Sequence, residues 1–386
     1  MTHSGQPRRY LDNAATTWPK PERVLAAWDR AARVLGAAAG RGSYREALEA
    51  DAIRNRARSR MAALLGGVES SRVALPTGAT LALNMAIHGL VRPGDHVIAT
   101  AADHNATLRP LHALAVQRVI ELTIVPCDVL GRVDPAAVAA AWRPKTRGIV
   151  CSHASNVTGA LQDAGALAAL ARDRGGLLVL DAAQSLGQVP VGGDAAAWNA
   201  DVVVAPAHKW LHGMAGVAVL WAREGVEIAP IVQGGTGSVS DSLDMPAAFT
   251  DRFEAGTPDL PALAALEAAA DWIAEETVAK VGDRCRALAA ACADKLRDIP
   301  GVRVFAALAG GPPIVSFTLE GYDPAALAVL LEQAAGVQAR AGFHCAACVH
   351  ECLGTRAGGT VRLAFGPFNS AADVAAVIAA VEQFAA

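Results

Sequence analysis

Apolar and polar positions along the chain follow two alternating periods. Short β-branched runs bounded by breakers read as buried strands, and alanine-rich stretches with apolar residues three and four apart read as helices. Residues 21–66 carry the helical spacing, with Pro21 near a helix start and Gly40-Arg41-Gly42 as a break. A regular series follows: strand 71–76, turn 78–80, helix 81–90, strand 96–100, helix 106–116, strand 121–126, helix 135–142, strand 148–152 and helix 164–174. Apolar runs then end at Asp181, at Pro206 and at Trp221. Strands separated by helices predict a largely parallel sheet covered on both faces, with residues 216–221 as an antiparallel step. Beyond about residue 255 the pattern changes to two long helices, 260–276 and 278–297. Strands 302–305 and 313–319, a helix from Pro324, a short strand at 336–340 and a final strand and helix complete the chain. The expected fold is α/β, with a large domain over 20–254 and a smaller α+β domain built from 1–19 and 255–386.

Composition narrows the class. Of 386 residues, 53% are hydrophobic and 18% charged, which excludes disorder and allows a large core. The net charge is −3 without a long basic cluster, so no nucleic-acid partner is expected. The first ten residues lack an apolar leader core and no run of about eighteen apolar residues occurs, so the chain reads as cytoplasmic with no membrane span. Its 7 cysteines are an odd number in a long chain, which is no secreted disulfide framework. The Gly234-Gly-Thr-Gly-Ser238 turn lacks the third glycine and the acidic ribose partner of a dinucleotide fingerprint.

Candidate chemistry gathers where strands end. Ligands in open α/β sheets bind outside the carboxyl ends of strands, and there Leu177-Leu-Val-Leu-Asp181 delivers a carboxylate and Val202-Val-Val-Ala-Pro-Ala-His-Lys209 an amine. These two runs alone fit a structural ion pair or a pyridoxal phosphate site, with Lys209 as Schiff-base amine and Asp181 holding the pyridine nitrogen protonated. Residues 71–90 read as strand, small-residue turn and helix N-terminus, where free N–H groups favour a phosphate.

Gly78-Ala-Thr80, Asp103-His104, Ser155-Asn156, Asp181-Ala-Ala-Gln184 and Ala207-His-Lys209 follow in one order, each at a strand end. With Cys345 and Arg362 added, the set resembles the class V aminotransferases, specifically the short-loop (group II) cysteine desulfurases, from Tyr10-Leu-Asp-Asn-Ala-Ala-Thr-Thr to Gly359-Thr-Val-Arg-Leu-Ala-Phe-Gly366. The resemblance implies a fold-type I pyridoxal phosphate enzyme that converts L-cysteine to L-alanine and passes the sulfur to an enzyme cysteine as a persulfide. It implies that Lys209 holds the cofactor and moves the Cα proton, that Gln184 donates to the phenolic oxygen, and that Ala183 lies beneath the ring. His104 would cover the other face and shuttle protons from a near-neutral pKa. Ala79, Thr80 and His208 would bind the phosphate, with Thr257 of Glu254-Ala-Gly-Thr257 supplied by a second copy, which implies a homodimer with shared sites. Asn156 and Arg362 would grip the substrate carboxylate. Cys345 would be the sulfur acceptor, with Arg340 and His344 favouring its thiolate and Arg340 close to the substrate. The final acceptor would be a protein or a small thiol, and turnover without it slow.

Three features depart from that pattern. Pro206 stands where the family carries a phosphate-binding hydroxyl. Trp210, His212 and Met214 are bulkier than the usual residues after the lysine and are expected to reshape the mouth of the site. Cys348 and Cys352 follow Cys345 at metal-like spacing, but a metal would consume the thiolate that catalysis needs, so none is expected. Those two cysteines are either small apolar residues or relay and resolving thiols. Selenocysteine lyase or another class V C–S lyase is the alternative activity. A non-catalytic sulfur-carrying or metal-binding scaffold is the alternative of another class.

Overall fold

Strictly alternating side chains in buried strands divide the interior of the large unit into two cores. A computed structural model describes residues 7–40, 42–191 and 196–386; residues 1–6, where no leader is expected, and Arg41 of the expected break lie outside the described residues. The sheet has seven strands in the order Val73–Ala74, Ala218–Ala222, Val202–Pro206, Leu177–Asp181, Thr146–Ser152, His96–Thr100, Glu121–Val125. The last five in that order run parallel, and Ala218–Ala222 is antiparallel to both its neighbours, as the sequence predicts. Ile149, Leu178, Leu180 and Val203 point into one core with helices Arg45–Leu64, Ala164–Asp173 and Leu260–Glu276. Val150, Val179, Val202 and Val204 point into the other with helices Ala79–Leu90 and Asn105–Val116. Period-two alternation on a sheet covered from both sides requires this division.

A four-stranded antiparallel sheet, in the order Arg340–Gly342, Thr360–Ala364, Ile314–Leu319, Val302–Phe305, forms the smaller unit. Helices Val278–Arg297, Pro324–Ala335 and Ala371–Ala385 pack onto it around Phe317, Leu363 and Phe365. Arg9–Tyr10 pairs with Val337–Gln338, so the N-terminal segment crosses from this unit toward the large sheet. The helices expected at 260–276 and 278–297 form with those bounds, because Asp259 and Thr277 accept from the backbone N–H groups that start each of them. Leu260–Glu276 packs against Arg45–Leu64 and Glu22–Arg30.

Two expectations change. The strand expected at 71–76 contracts to Val73–Ala74 after a 3-10 turn at Ser70–Arg72, with Arg58 Nε taking the Val73 carbonyl. The strand expected at 336–340 splits into Val337–Gln338, paired with Arg9–Tyr10, and Arg340–Gly342, which joins the small sheet. Among the described residues, no helix is long and apolar enough to cross a membrane.

Candidate active site

Asp181 ends its strand opposite Val204, so the two neighbouring strand ends place the carboxylate and the Lys209 loop at one opening. A cavity of about 350 Å³ lies there. Its walls bring together the expected Ala79, Thr80, His104, Asn156, Asp181, Ala183, Gln184, His208 and Lys209. Thr77, Ser152 and Pro206 also line it. Thr77 and Ser152 were not expected, although each sits beside an expected motif. Thr257 is exposed and lines no part of this chain's own cavity.

Enclosure sets the charges. Burial raises the Asp181 carboxyl, and its bond from the Ala183 N–H at 2.9 Å and then Lys209 oppose that shift. Burial lowers the Lys209 ammonium to about 8, opposed by Asp181 and reinforced by Arg362 and Arg340. The His104 ring nitrogen Nδ1 accepts from Ala106 N–H at 3.0 Å, capping helix Asn105–Val116, so a neutral ring carries its proton on Nε2. Burial, then Lys209 and Arg340, hold His104 at about 4, which corrects the near-neutral value expected for a proton shuttle. His208 is likewise held at about 4 by burial and Lys209. Asp103 anchors the adjacent loop by accepting from Thr100 N–H at 2.7 Å and Ser152 N–H at 2.5 Å, and burial raises it to about 7.

The peptide at Lys209 is fixed from the N-terminal segment. The His208 carbonyl accepts from Thr17 N–H at 3.1 Å, Thr16 Oγ1 at 3.0 Å and Lys20 Nζ at 2.8 Å, and Thr17 Oγ1 donates to the Lys209 carbonyl at 2.9 Å. Burial lowers the Lys20 ammonium to about 7. Gln184 Nε2 donates to the Ala14 carbonyl at 3.0 Å while its Oε1 accepts from Trp210 Nε1 at 2.7 Å, which leaves one amide hydrogen for a ligand. The mouth is not reshaped by Trp210 and His212: both are fully buried, Trp210 behind Gln184 and His212 edge-on to Trp272. Side chains after the lysine that look like an entrance in sequence are interior here because residues 207–213 turn back, with Gly213 N–H on the Ala207 carbonyl.

The small sheet brings the cations. Arg340 and Arg362 pair in register on neighbouring strands. Arg362 is buried, donating through Nη2 to Asp12 Oδ1 at 2.8 Å and through Nη1 to the Asn156 carbonyl at 2.9 Å, with Nε left unpartnered. Arg340 Nη2 lies 3.4 Å from Sγ of the exposed Cys345. His344 does not assist that thiol as a cation: burial and then Arg362 push its pKa well down, and its Nε2 faces Thr360. The Cys127 thiol, raised by burial and by a hydrogen bond with Cys352, meets Cys352 at the foot of the loop. Among the described residues no group of His, Cys, Asp and Glu converges as a metal site requires.

This cavity fits pyridoxal phosphate. Gly78 caps helix Ala79–Leu90 without a side-chain bond, and a Cβ added there meets no atom within 4 Å, so open space faces the free N–H groups of the helix start. At the other end of the opening, the buried Asp181 carboxylate suits a protonated ring nitrogen, and the Lys209 amine lies within its field.

Comparisons with known proteins agree with this geometry. The aminotransferase class-V family model matches residues 9–377. A Pseudomonas aeruginosa protein named "Probable cysteine desulfurase" is 34% identical over 97% of this chain and 93% of its own length. Cysteine desulfurase CsdA of Escherichia coli is 29% identical with the same coverage. In solved structures, the apo cysteine desulfurase of Thermococcus onnurineus superposes with a TM-score of 0.88 at 27% identity, covering 97% of this chain and 94% of that one. The S-sulfonic acid form of the Escherichia coli CsdA structure gives 0.85 at 28% identity, also covering 97% and 94%.

Proposed function

The chain belongs to the aminotransferase class-V family, and from that premise we propose that it is a pyridoxal-phosphate-dependent cysteine desulfurase acting as a cytoplasmic homodimer. In this reading residues 20–254 bind the cofactor, and 1–19 with 255–386 carry the sulfur-accepting loop. The observation that carries the reading is the exposed Cys345 thiol beside Arg340, in a turn bonded to Asn156, which lines the same cavity as Lys209 and Asp181. Bound here, pyridoxal phosphate supplies an electron sink for the Cα carbanion of an amino acid.

The chain's own groups do the rest. Ala79, Thr80 and His208 hold the phosphate, with Thr257 of a second copy. Asp181 would keep the ring nitrogen protonated by pairing with it. Lys209, with an ammonium pKa near 8, holds or takes a proton at Nζ close to neutral pH. Neutral His104 packs over the site and offers Nε2–H as a hydrogen-bond donor. Arg362 and Asn156 orient the L-cysteine carboxylate, and the fork of Arg362 still has its Nε donor free. Arg340 sets its Nη2 donor 3.4 Å from the Cys345 sulfur and so orients the thiol that accepts the sulfur. The thiolate of Cys345 attacks the substrate sulfur: an S–S bond forms as the Cβ–S bond breaks, the electron pair stays with Cβ, and protonation of Cβ together with return of the proton to Cα yields alanine. A protein or small thiol then accepts the sulfane sulfur from Cys345.

The test is alanine release from L-cysteine with and without reductant. Cys345→Ala should still bind L-cysteine, read as a change in cofactor absorbance, while alanine release falls by about two orders of magnitude or more, as for loss of a nucleophile. Extra sulfur found by mass spectrometry only on Cys348 or Cys352 would move the acceptor role along the loop.

A further inference from the structure

The turn that carries Cys345 has an unusual backbone. His344 (φ 51°) and Cys345 (φ 59°) are both left-handed, a region unfavourable to residues other than glycine. Two consecutive residues stay there only where their surroundings fix them. Two donors from the cavity side do so. Asn156 Nδ2 donates to the His344 carbonyl at 2.7 Å, and Asn105 N–H donates to the Cys345 carbonyl at 2.7 Å. Asn105 is the first residue of the helix capped by His104, and both His104 and Asn156 line the cavity. Asn156 is also tied to Arg362, which donates to its carbonyl, and its buried Oδ1 has no partner. One residue thus meets the strained turn through its side chain and the cation of the carboxylate site through its backbone carbonyl.

We propose that the Asn156 amide and the Asn105 N–H are positioning groups that hold the Cys345 turn left-handed, and that the substrate carboxylate frees the turn by drawing the Asn156 amide away from His344. The inference rests on the reading of Asn156 and Arg362 as the carboxylate site. A carboxylate is a stronger acceptor than the neutral His344 carbonyl, so a substrate seated on Arg362 competes for Nδ2. With that bond gone, the turn relaxes to an ordinary conformation and the thiol moves toward the substrate sulfur. Cys345 is then mobile only when a substrate is present to react with it.

Hydrogen exchange of the holoenzyme over residues 343–346 reads the turn, because Ala346 N–H is bonded within it to the Phe343 carbonyl. L-alanine presents the amine and carboxylate without sulfur, and L-alaninol lacks the carboxylate. L-alanine should raise exchange about two- to tenfold, the range expected for losing one neutral hydrogen bond, and L-alaninol should not. Asn156→Ala should exchange faster without any ligand and respond to none. Asn105→Pro removes only the second donor. Proline is tolerated at a first helical position, and His104 before it is already extended (φ −71°, ψ 153°). This variant should exchange faster at rest and still respond to L-alanine. Equal responses to both ligands, no response in the parent, or an Asn156→Ala protein that exchanges like the parent overturns the proposal. Alanine release from L-cysteine, measured in parallel, separates the two readings: a productive parent with flat exchange loses the coupling alone, and an unproductive parent loses both.

Discussion

At the residue scale, the chemistry of the site follows from what surrounds each group. The Lys209 ammonium ordinarily loses its proton near 10.5 and is brought to about 8 by burial. Its folded pKa lies below its unfolded one, so the penalty for enclosing the ammonium is full below pH 8 and fades as pH rises toward 10.5. Cofactor-free protein should therefore take up pyridoxal phosphate at a rate that rises with pH and levels off near 8, followed by absorbance and borohydride trapping. A rate still climbing tenfold per unit between pH 9 and 10 would remove the enclosed lysine from the account. Pro206 lines the cavity where a hydroxyl is expected, so Pro206→Ser should retain cofactor longer during dialysis against a carbonyl trap, by about two- to tenfold for one added hydrogen bond. Faster loss would show that the rigid proline matters more than the missing donor. Lys209, Asp181 and Asn156 were legible as neighbours at one opening because each ends or closely follows an apolar strand run. Asp12, Thr16, Thr17 and Lys20 were not legible as partners of Arg362 and His208: their contacts cross 188 to 350 positions of sequence, and short polar motifs do not announce their partners. The buried state that holds His104 and His344 neutral was hidden for the same reason, since it depends on elements from both sheets.

At the scale of elements, patterning carried far where one period dominated and failed where backbone shape decided. Helices with an apolar stripe and a capping Asp or Thr were read with their starts, and the fully apolar strands with their partners' direction. The polar edge at Ser70–Arg72 and the left-handed turn at His344–Cys345 escaped, because tertiary hydrogen bonds impose both. The bend that follows Asp181 tests such imposed geometry. Gly187 there has φ 94°, and an added Cβ would sit 2.2 Å from the Trp210 carbonyl. Neither the dihedral nor the contact can relax cheaply, since Trp210 is fully buried and bonded to Gln184. Gly187→Ala should lose about 3 kcal/mol or more of stability and loosen Gln184 in the cavity. Urea unfolding and the cofactor spectrum would read both effects, and a variant as stable as the parent would show that this bend has room the packing denies.

At the scale of the whole molecule, the two units meet around the cavity, and one buried ion pair sits at the root of the segment that the homodimer reading sends to a second copy. Arg58 Nη2 lies 2.9 Å from both oxygens of Glu254, and Glu254 Oε1 also accepts from Leu75 N–H at 2.8 Å. Both side chains are nearly enclosed, at 10% and 7% exposure, so neither charge has water as an alternative partner. Three residues later Thr257 stands exposed. Replacing Glu254 by glutamine keeps the volume and strands the Arg58 cation, which costs about 3 kcal/mol when one member of a buried pair is removed. The same change frees the root of the 254–257 segment. Glu254→Gln should therefore lose stability in urea and shed cofactor faster during dialysis against a carbonyl trap. Thr257→Ala removes only the hydroxyl offered to the second copy, so it should shed cofactor faster at parental stability. If Thr257→Ala keeps its cofactor while Glu254→Gln loses it, the ion pair acts through this chain's own fold, and the shared phosphate site is wrong.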